Sequence, residues 1–310
     1  MKVKQFVAPT LPQALSRVRK ELGPDAYIIS TVTRTRRQRL WSRERVSEVV
    51  VTAALPRQEK RSGRPEAFPS FPWRGRLEQA GWEEEMLAWV EKEWQRVAQS
   101  LAGGSWEQTV RPWLVELLLA GVQTSGTWLE SVRPGLVIAF VGPPGAGKTT
   151  LITKIARCYE GIARWSVVTF PTPPPPAEVE EARREADLVL IDTPGLSVKH
   201  GQEEKEKAYQ AVEQLVATEI QLVLPAQCGG PYLARLRTTF GPFRPTHLAV
   251  TRMDEVGSWL PIYNLARRVG LPLRFVSTGP DDPQQLEVAD LPAMVKEIMA
   301  EIDGSSAPRG

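Results

Sequence analysis

The stretch VGPPGAGKTT, Val141 to Thr150, constrains this chain more than any other. It follows the apolar run LVIAFV and precedes KTTLITKIARCY, which has the apolar spacing of a helix. A strand, a glycine-rich turn and a helix in that order aim backbone amides at one point, where they hold phosphate oxygens. Gly142, Gly147, Lys148 and Thr149 satisfy G-x-x-x-x-G-K-[ST]. Lys148 is placed to neutralise the β- and γ-phosphates, and the Thr149 hydroxyl to bind Mg²⁺. Pro143, Pro144, Gly145, Ala146 and Thr150 complete the candidate nucleotide-binding loop.

From Pro134 onward, β-type runs alternate with helical segments: LVIAFV, RWSVVTF, DLVLID, EIQLVLPA, THLAVT and LRFVST. Most are apolar on both faces, as in a buried parallel sheet. The expectation is a doubly wound α/β P-loop domain over 134–303, with its ligand at the carboxyl edge of the strands. Before it, Met1 to Pro56 reads β-α-β-β, a small α+β domain; its helix carries Leu11, Ala14, Leu15, Val18 and Leu22 and stops at Gly23-Pro24. Residues 57–75 are rich in Arg, Pro, Gly and Ser and read as a linker. Residues 76–133 read as a helical bundle, with Leu87, Val90, Trp94, Val97 and Leu101 on one stripe. Its many tryptophans fit helix packing better than a ligand cage. Residues 304–310 read as a disordered tail.

Three more segments fall at the carboxyl ends of strands. LVLIDTPG ends a buried strand at Asp192, which can hold the Mg²⁺ shell, with Gly195 facing the γ-phosphate. LAVTRMDE places Thr251, Arg252 and Asp254 in the pattern of an [NT]-K-x-D guanine motif. A carboxylate there accepts from guanine N1 and N2, which adenine cannot match. Arg252 stands where a lysine is usual, and its flat guanidinium suits stacking on the base. FVSTGPDD offers Ser277, Thr278 and Gly279 for the other side of the base. GTP or GDP with Mg²⁺ is therefore expected over ATP, although a partition-type P-loop ATPase remains an alternative.

Net charge is +3, so no global attraction to nucleic acid is implied. RTRRQRLWSRER, Arg34 to Arg45, is a local exception that suits a solvated hairpin tip or an anionic membrane surface. RNA fits it less well, because only Trp41 interleaves the charges. Cys158 and Cys228 lack metal spacing and read as buried free thiols of a reducing compartment. His200 and His247 read as structural. No apolar run approaches the length of a membrane span.

Taken in order, these motifs resemble the signal-recognition-particle (SRP) type GTPases, and in particular the flagellar FlhF family. The opening MKVKQFVAPTLPQALSRVRKELGPDAYIIS and the closing VSTGPDDPQQLEVAD are the most specific parts. The resemblance implies a GTP-binding protein that places or assembles flagella at a cell pole, cytoplasmic and peripheral on the membrane. It also implies flagellar assembly or regulatory proteins as partners, and a GTP-dependent homodimer. Two departures stand out. The interval VVTFPTPPPPAEVEEARREADLVLID lacks the family's Asp-Thr-Tyr-Arg segment, and Leu196 replaces the arginine after the D-x-x-G glycine. Nucleotide binding is expected to survive these losses, with hydrolysis slow or lost; a non-hydrolysing scaffold is the alternative.

Overall fold

The computed structural model describes residues 3–8, 11–22, 27–37, 45–54, 71–101, 105–126, 135–169, 176–279 and 283–304. They fall into two compact units, 1–68 and 69–310.

The first unit has the expected order: β1 (Val3–Ala8), α1 (Leu11–Leu22), β2 (Tyr27–Arg37) and β3 (Arg45–Ala54). β3 lies between the other two strands and is antiparallel to both. Alternate strand residues Phe6, Ala8, Val51 and Ala53 meet Ala14 and Val18 of the helix. Period-two strands against a period-3.6 helix give one small core. β2 and β3 pair out to Arg37 opposite Arg45. The intervening residues of the arginine-rich stretch lie outside the described residues.

In the second unit, the described residues before the sheet form α2 (Arg74–Gln79), α3 (Glu84–Leu101) and α4 (Arg111–Gly121), with a π-helical turn, Trp106–Val110, leading into α4. α3 buries Leu87, Val90 and Trp94, with Val97 and Leu101 half-buried, as its stripe requires. Trp94 collects edge contacts from Phe71, Trp73 and Trp113 at centroid distances of 5.5, 5.8 and 5.3 Å. The tryptophans are thus packing residues. The linker is correspondingly shorter than expected at its carboxyl end, because Phe71 is buried in this cluster and helix begins at Arg74.

The sheet comprises β4 (Leu136–Val141), β5 (Trp165–Thr169), β6 (Leu188–Asp192), β7 (Glu219–Pro225), β8 (His247–Thr251), β9 (Leu273–Ser277) and β10 (Leu286–Val288). Its order is β10-β9-β8-β7-β4-β6-β5. All pairs are parallel except β10 with β9. The connecting helices are α5 (Lys148–Cys158), α6 (Pro176–Glu185), α7 (Gln202–Gln214), α8 (Gly230–Phe240) and α9 (Trp259–Val269); α10 (Leu291–Ile302) closes the chain. Leu136, Ile138 and Phe140 of β4 face α5. Val137, Ala139 and Val141 face the large core shared by α6 to α10 and the preceding helices. The helical segment and the sheet therefore form one hydrophobic core, with no core boundary at 133 and 134. The Tyr263 hydroxyl of α9 donates to the Leu118 carbonyl of α4 at 2.8 Å, and adds a polar tie.

One expectation is corrected on this frame: Cys158 is exposed at the end of α5, whereas Cys228 is buried. β5 is an edge strand, and its Trp165 and Val167 are exposed. Residues 171–175 of the proline run and the tail 305–310 lie outside the described residues. Among the described residues no helix is long and apolar enough to cross a membrane.

Candidate nucleotide site

β4 is central, with β6 on one side and β7 on the other, so successive connections leave the sheet in opposite directions around it. A crevice opens at the carboxyl edge where connections diverge in this way. There a cavity of about 590 Å³ is lined by the loop after β4, by Thr169 at the end of β5, by Asp192 to Gly195 after β6 and by Arg252 after β8. That volume suits a mononucleotide-sized ligand.

The loop's shape follows from its glycines. Gly147 is left-handed at φ 82° and is the N-cap of α5, so the helix starts directly under the loop. Lys148 is buried and donates to the Gly142 and Pro143 carbonyls at 3.2 and 3.1 Å. Burial pushes its pKa down, and the nearby Asp192 charge pulls it partly back up. A phosphate would supply the missing counter-charge. The loop is braced from β8. The Thr251 hydroxyl donates to the Ala146 carbonyl at 2.7 Å, and the Arg252 guanidinium to the Gly145 carbonyl at 2.8 Å. Arg252 also pairs with Glu255 at 3.3 Å. These bonds fix the loop, together with the Ala146 amide, which donates to the Pro143 carbonyl at 3.2 Å.

The residues present suit a Mg²⁺ shell. The Thr149 hydroxyl donates to Asp192 Oδ2 at 2.6 Å. Asp192 is 7% exposed, and its other oxygen, Oδ1, is buried with no hydrogen-bond partner among the described residues. A buried carboxylate oxygen in that condition needs a donor, which a metal-bound water provides. Thr149 and Asp192 would hold that shell, and the ion would neutralise phosphate charge.

Not every expected residue converges. Gly142, Pro143 and Ala146 are buried parts of the loop rather than its ligand face, and Thr251 lies behind it. Asp254 is exposed beyond Arg252 and does not line the cavity. Ser277, Thr278 and Gly279 do not line it either. The Ser277 hydroxyl accepts from the buried ammonium of Lys154 at 3.0 Å and donates to the Gly279 carbonyl at 3.2 Å. Lys154 also donates to that carbonyl, which ties the segment to α5. Motif reading missed Lys154, Thr169, Thr193 and Pro194. For Thr169 a signal existed, since it ends a strand of the same parallel sheet. Of the two histidines, His247 meets the Arg274 guanidinium at 2.8 Å near the opposite strand ends, and His200 accepts from the Ser197 amide at 3.4 Å.

The model of the 50S ribosome-binding GTPase family matches residues 137–237. Over 195 residues, 53% of this chain, the sequence is 26% identical to the flagellar biosynthesis protein FlhF of Campylobacter jejuni and covers 40% of it. It is also 26% identical over 202 residues to the signal recognition particle receptor FtsY of Thermus aquaticus, covering 53% of this chain and 66% of that protein. The fold matches a crystal structure of FlhF complexed with GTP/Mg²⁺ at TM-score 0.60 and 19% identity, over 73% of this chain and 96% of that one. Chloroplast FtsY from Physcomitrella patens matches at TM-score 0.60 and 18% identity, over 73% and 85%. The chain thus has the fold of these GTPase structures and is similar in sequence, over about half its length, to FlhF and FtsY proteins. Its matched segment spans less than two thirds of either curated relative.

Proposed function

We propose that this protein binds GTP or GDP with Mg²⁺ and serves flagellar placement or assembly, with hydrolysis slow or absent. The observation that carries the reading is the cavity at the carboxyl edge, where Lys148, the Thr149–Asp192 pair and the Arg252-braced loop meet. The loop amides and Lys148 hold the phosphates, and Thr149 and Asp192 orient the metal shell. Asp254, exposed two residues past the cavity-lining Arg252, is the carboxylate proposed to select guanine. Flagellar work is supported by FlhF relatives in Campylobacter jejuni and in Aquifex aeolicus, the latter 26% identical over 193 residues. The cytoplasm, at the inner face of the membrane, is the site of action proposed here. Flagellar assembly or regulatory proteins are the proposed partners.

Weak turnover is supported by Leu196. It is 7% exposed in the apolar core, where it has no charge to offer a transition state. This also favours the second reading, a scaffold that binds nucleotide and never spends it. Calorimetry with GTP and ATP, and phosphate release on the same sample, separate the readings. Tight GTP binding with little release supports the proposal. Equal affinity for ATP and GTP overturns the guanine assignment.

A further inference from the structure

We propose that a second cavity, behind the segment after β6, binds a small, uncharged and largely apolar molecule. It lies under α7 and has a volume of about 530 Å³. Thr193, Pro194 and Gly195 line both this cavity and the nucleotide cavity, so a ligand here rests against residues that a nucleotide also meets. The site stands whether or not the nucleotide reading holds. Protein interiors keep few voids larger than a water molecule, and an apolar cleft of this size is the usual form of a small-molecule site. Its cause is legible in α7. The helix turns Ala208 and Ala211 toward the cleft, three residues apart on one face, where larger side chains would fill it.

The walls and the mouth define what fits. Phe240 and Phe243 are buried and line the space, their rings stacked at a centroid distance of 5.7 Å. Tyr209 braces them from the side: its ring meets Phe243 edge-on at 4.7 Å, and its hydroxyl donates to the Thr239 carbonyl at 2.9 Å. Leu196 and Val212 add branched aliphatic surface. A ring system matches such surfaces by stacking and edge contacts. The charges at the mouth are already engaged. Lys207 pairs with Glu203 at 2.7 Å, and the Glu204 carboxylate accepts from the Gly201 amide at 3.1 Å. They offer an ionic head no preferred sign, which points to an uncharged ligand. His200 also lines the cavity. Its Nδ1 accepts from the Ser197 amide at 3.4 Å, so the neutral ring carries its proton on Nε2, a donor for one ligand oxygen. The ligand class is therefore a compact ring system with one carbonyl or ether oxygen.

Prodan, an uncharged naphthalene ketone whose emission shifts to the blue in apolar surroundings, is the probe, titrated into the full chain. We expect saturable, one-to-one binding with a blue shift. Ala208→Trp puts a ring into the cleft and should weaken the dye about tenfold or more. Ala211→Leu fills less of it and should weaken the dye about threefold or more. The melting temperature of Ala211→Leu should stay level or rise, since filling a void adds contacts. Should Ala208→Trp fail to fold, Ala211→Leu decides alone. Absence of saturable dye binding overturns the proposal. So does binding that neither variant weakens, because the dye then sits elsewhere. A melting temperature several degrees lower in Ala211→Leu overturns it too, because the space would then be filled already. Failure of the unmodified chain to bind GTP in calorimetry would sink the nucleotide reading and leave these results to decide the second site.

Discussion

At the residue scale, the site divides into groups that touch phosphate and groups that hold those groups in place. Lys148 belongs to the first kind. Its ammonium is buried with only carbonyls to bind, so it favours an anion strongly. Lys148→Ala should abolish GTP binding in calorimetry while leaving the melting temperature near its original value. Asp254 is an acceptor for the base in the proposed function. Asp254→Asn should reduce the preference for GTP over ATP by about 1.5–3 kcal/mol, the cost of losing one charge-assisted pairing. An unchanged preference would remove Asp254 from the base site. The phosphate loop was legible because its chemistry is local: the consecutive residues Gly142 to Thr150 carry both glycines and ligands. Lys154 was not legible, because its partners Ser277 and Gly279 lie more than a hundred residues away and reach it only through the fold.

At the element scale, α10 is locked to the helices before the sheet through one carboxylate. Asp303 accepts from Arg76 and Arg111 at 2.9 Å each, and from the Trp106 indole at 3.3 Å. Partial burial pushes its pKa up, but the Arg111 and Trp106 hydrogen bonds, with the charges of Arg111 and Arg76, outweigh this and hold it below the usual carboxylate range. A depressed carboxylate pKa adds stability that is present above the unfolded value and lost as pH falls through the folded one. Both arginine side chains are more than a third exposed, so screening keeps the lock to about 1 kcal/mol. Asp303→Asn should therefore lower the melting temperature by about 2–4 °C at pH 7. The difference should shrink as pH drops below about 4, the range in which the wild-type carboxylate takes up its proton. A constant difference across that range would mean that the contact is steric. Element identity was mostly legible here, since α3 carries an apolar stripe and most of the six parallel strands are short continuous apolar runs. β10 escaped because three residues with two exposed faces have no period to read. Phe71 and Trp73 escaped because the prolines beside them signal a linker, whereas their rings are part of the aromatic core.

At the scale of the whole molecule, the 69–310 unit contains the sheet, its covering helices and every residue assigned to the cavity. A unit with its own core should fold alone. Expressed without residues 1–68, it should bind GTP within about threefold of the full chain, and a larger loss would give the first unit a part in nucleotide binding. Turnover is a separate matter, because hydrolysis needs an oriented water and charge set against the transition state. Lys148, Thr149 and Asp192 provide the cradle and the metal shell. The segment after them is pinned to the phosphate loop through the Leu196 amide, and the Leu196 side chain is turned into the core rather than toward a phosphate. A missing transition-state arginine costs on the order of a thousandfold or more in rate. The purified chain should accordingly bind GTP and release phosphate far more slowly than one turnover per second. Leu196→Arg alone should not restore it, since a charged side chain resists burial among these apolar neighbours and supplies no positioned water. Several turnovers per second by the unmodified protein, lost in Lys148→Ala, would show that other residues supply the catalytic groups and that the nucleotide is spent.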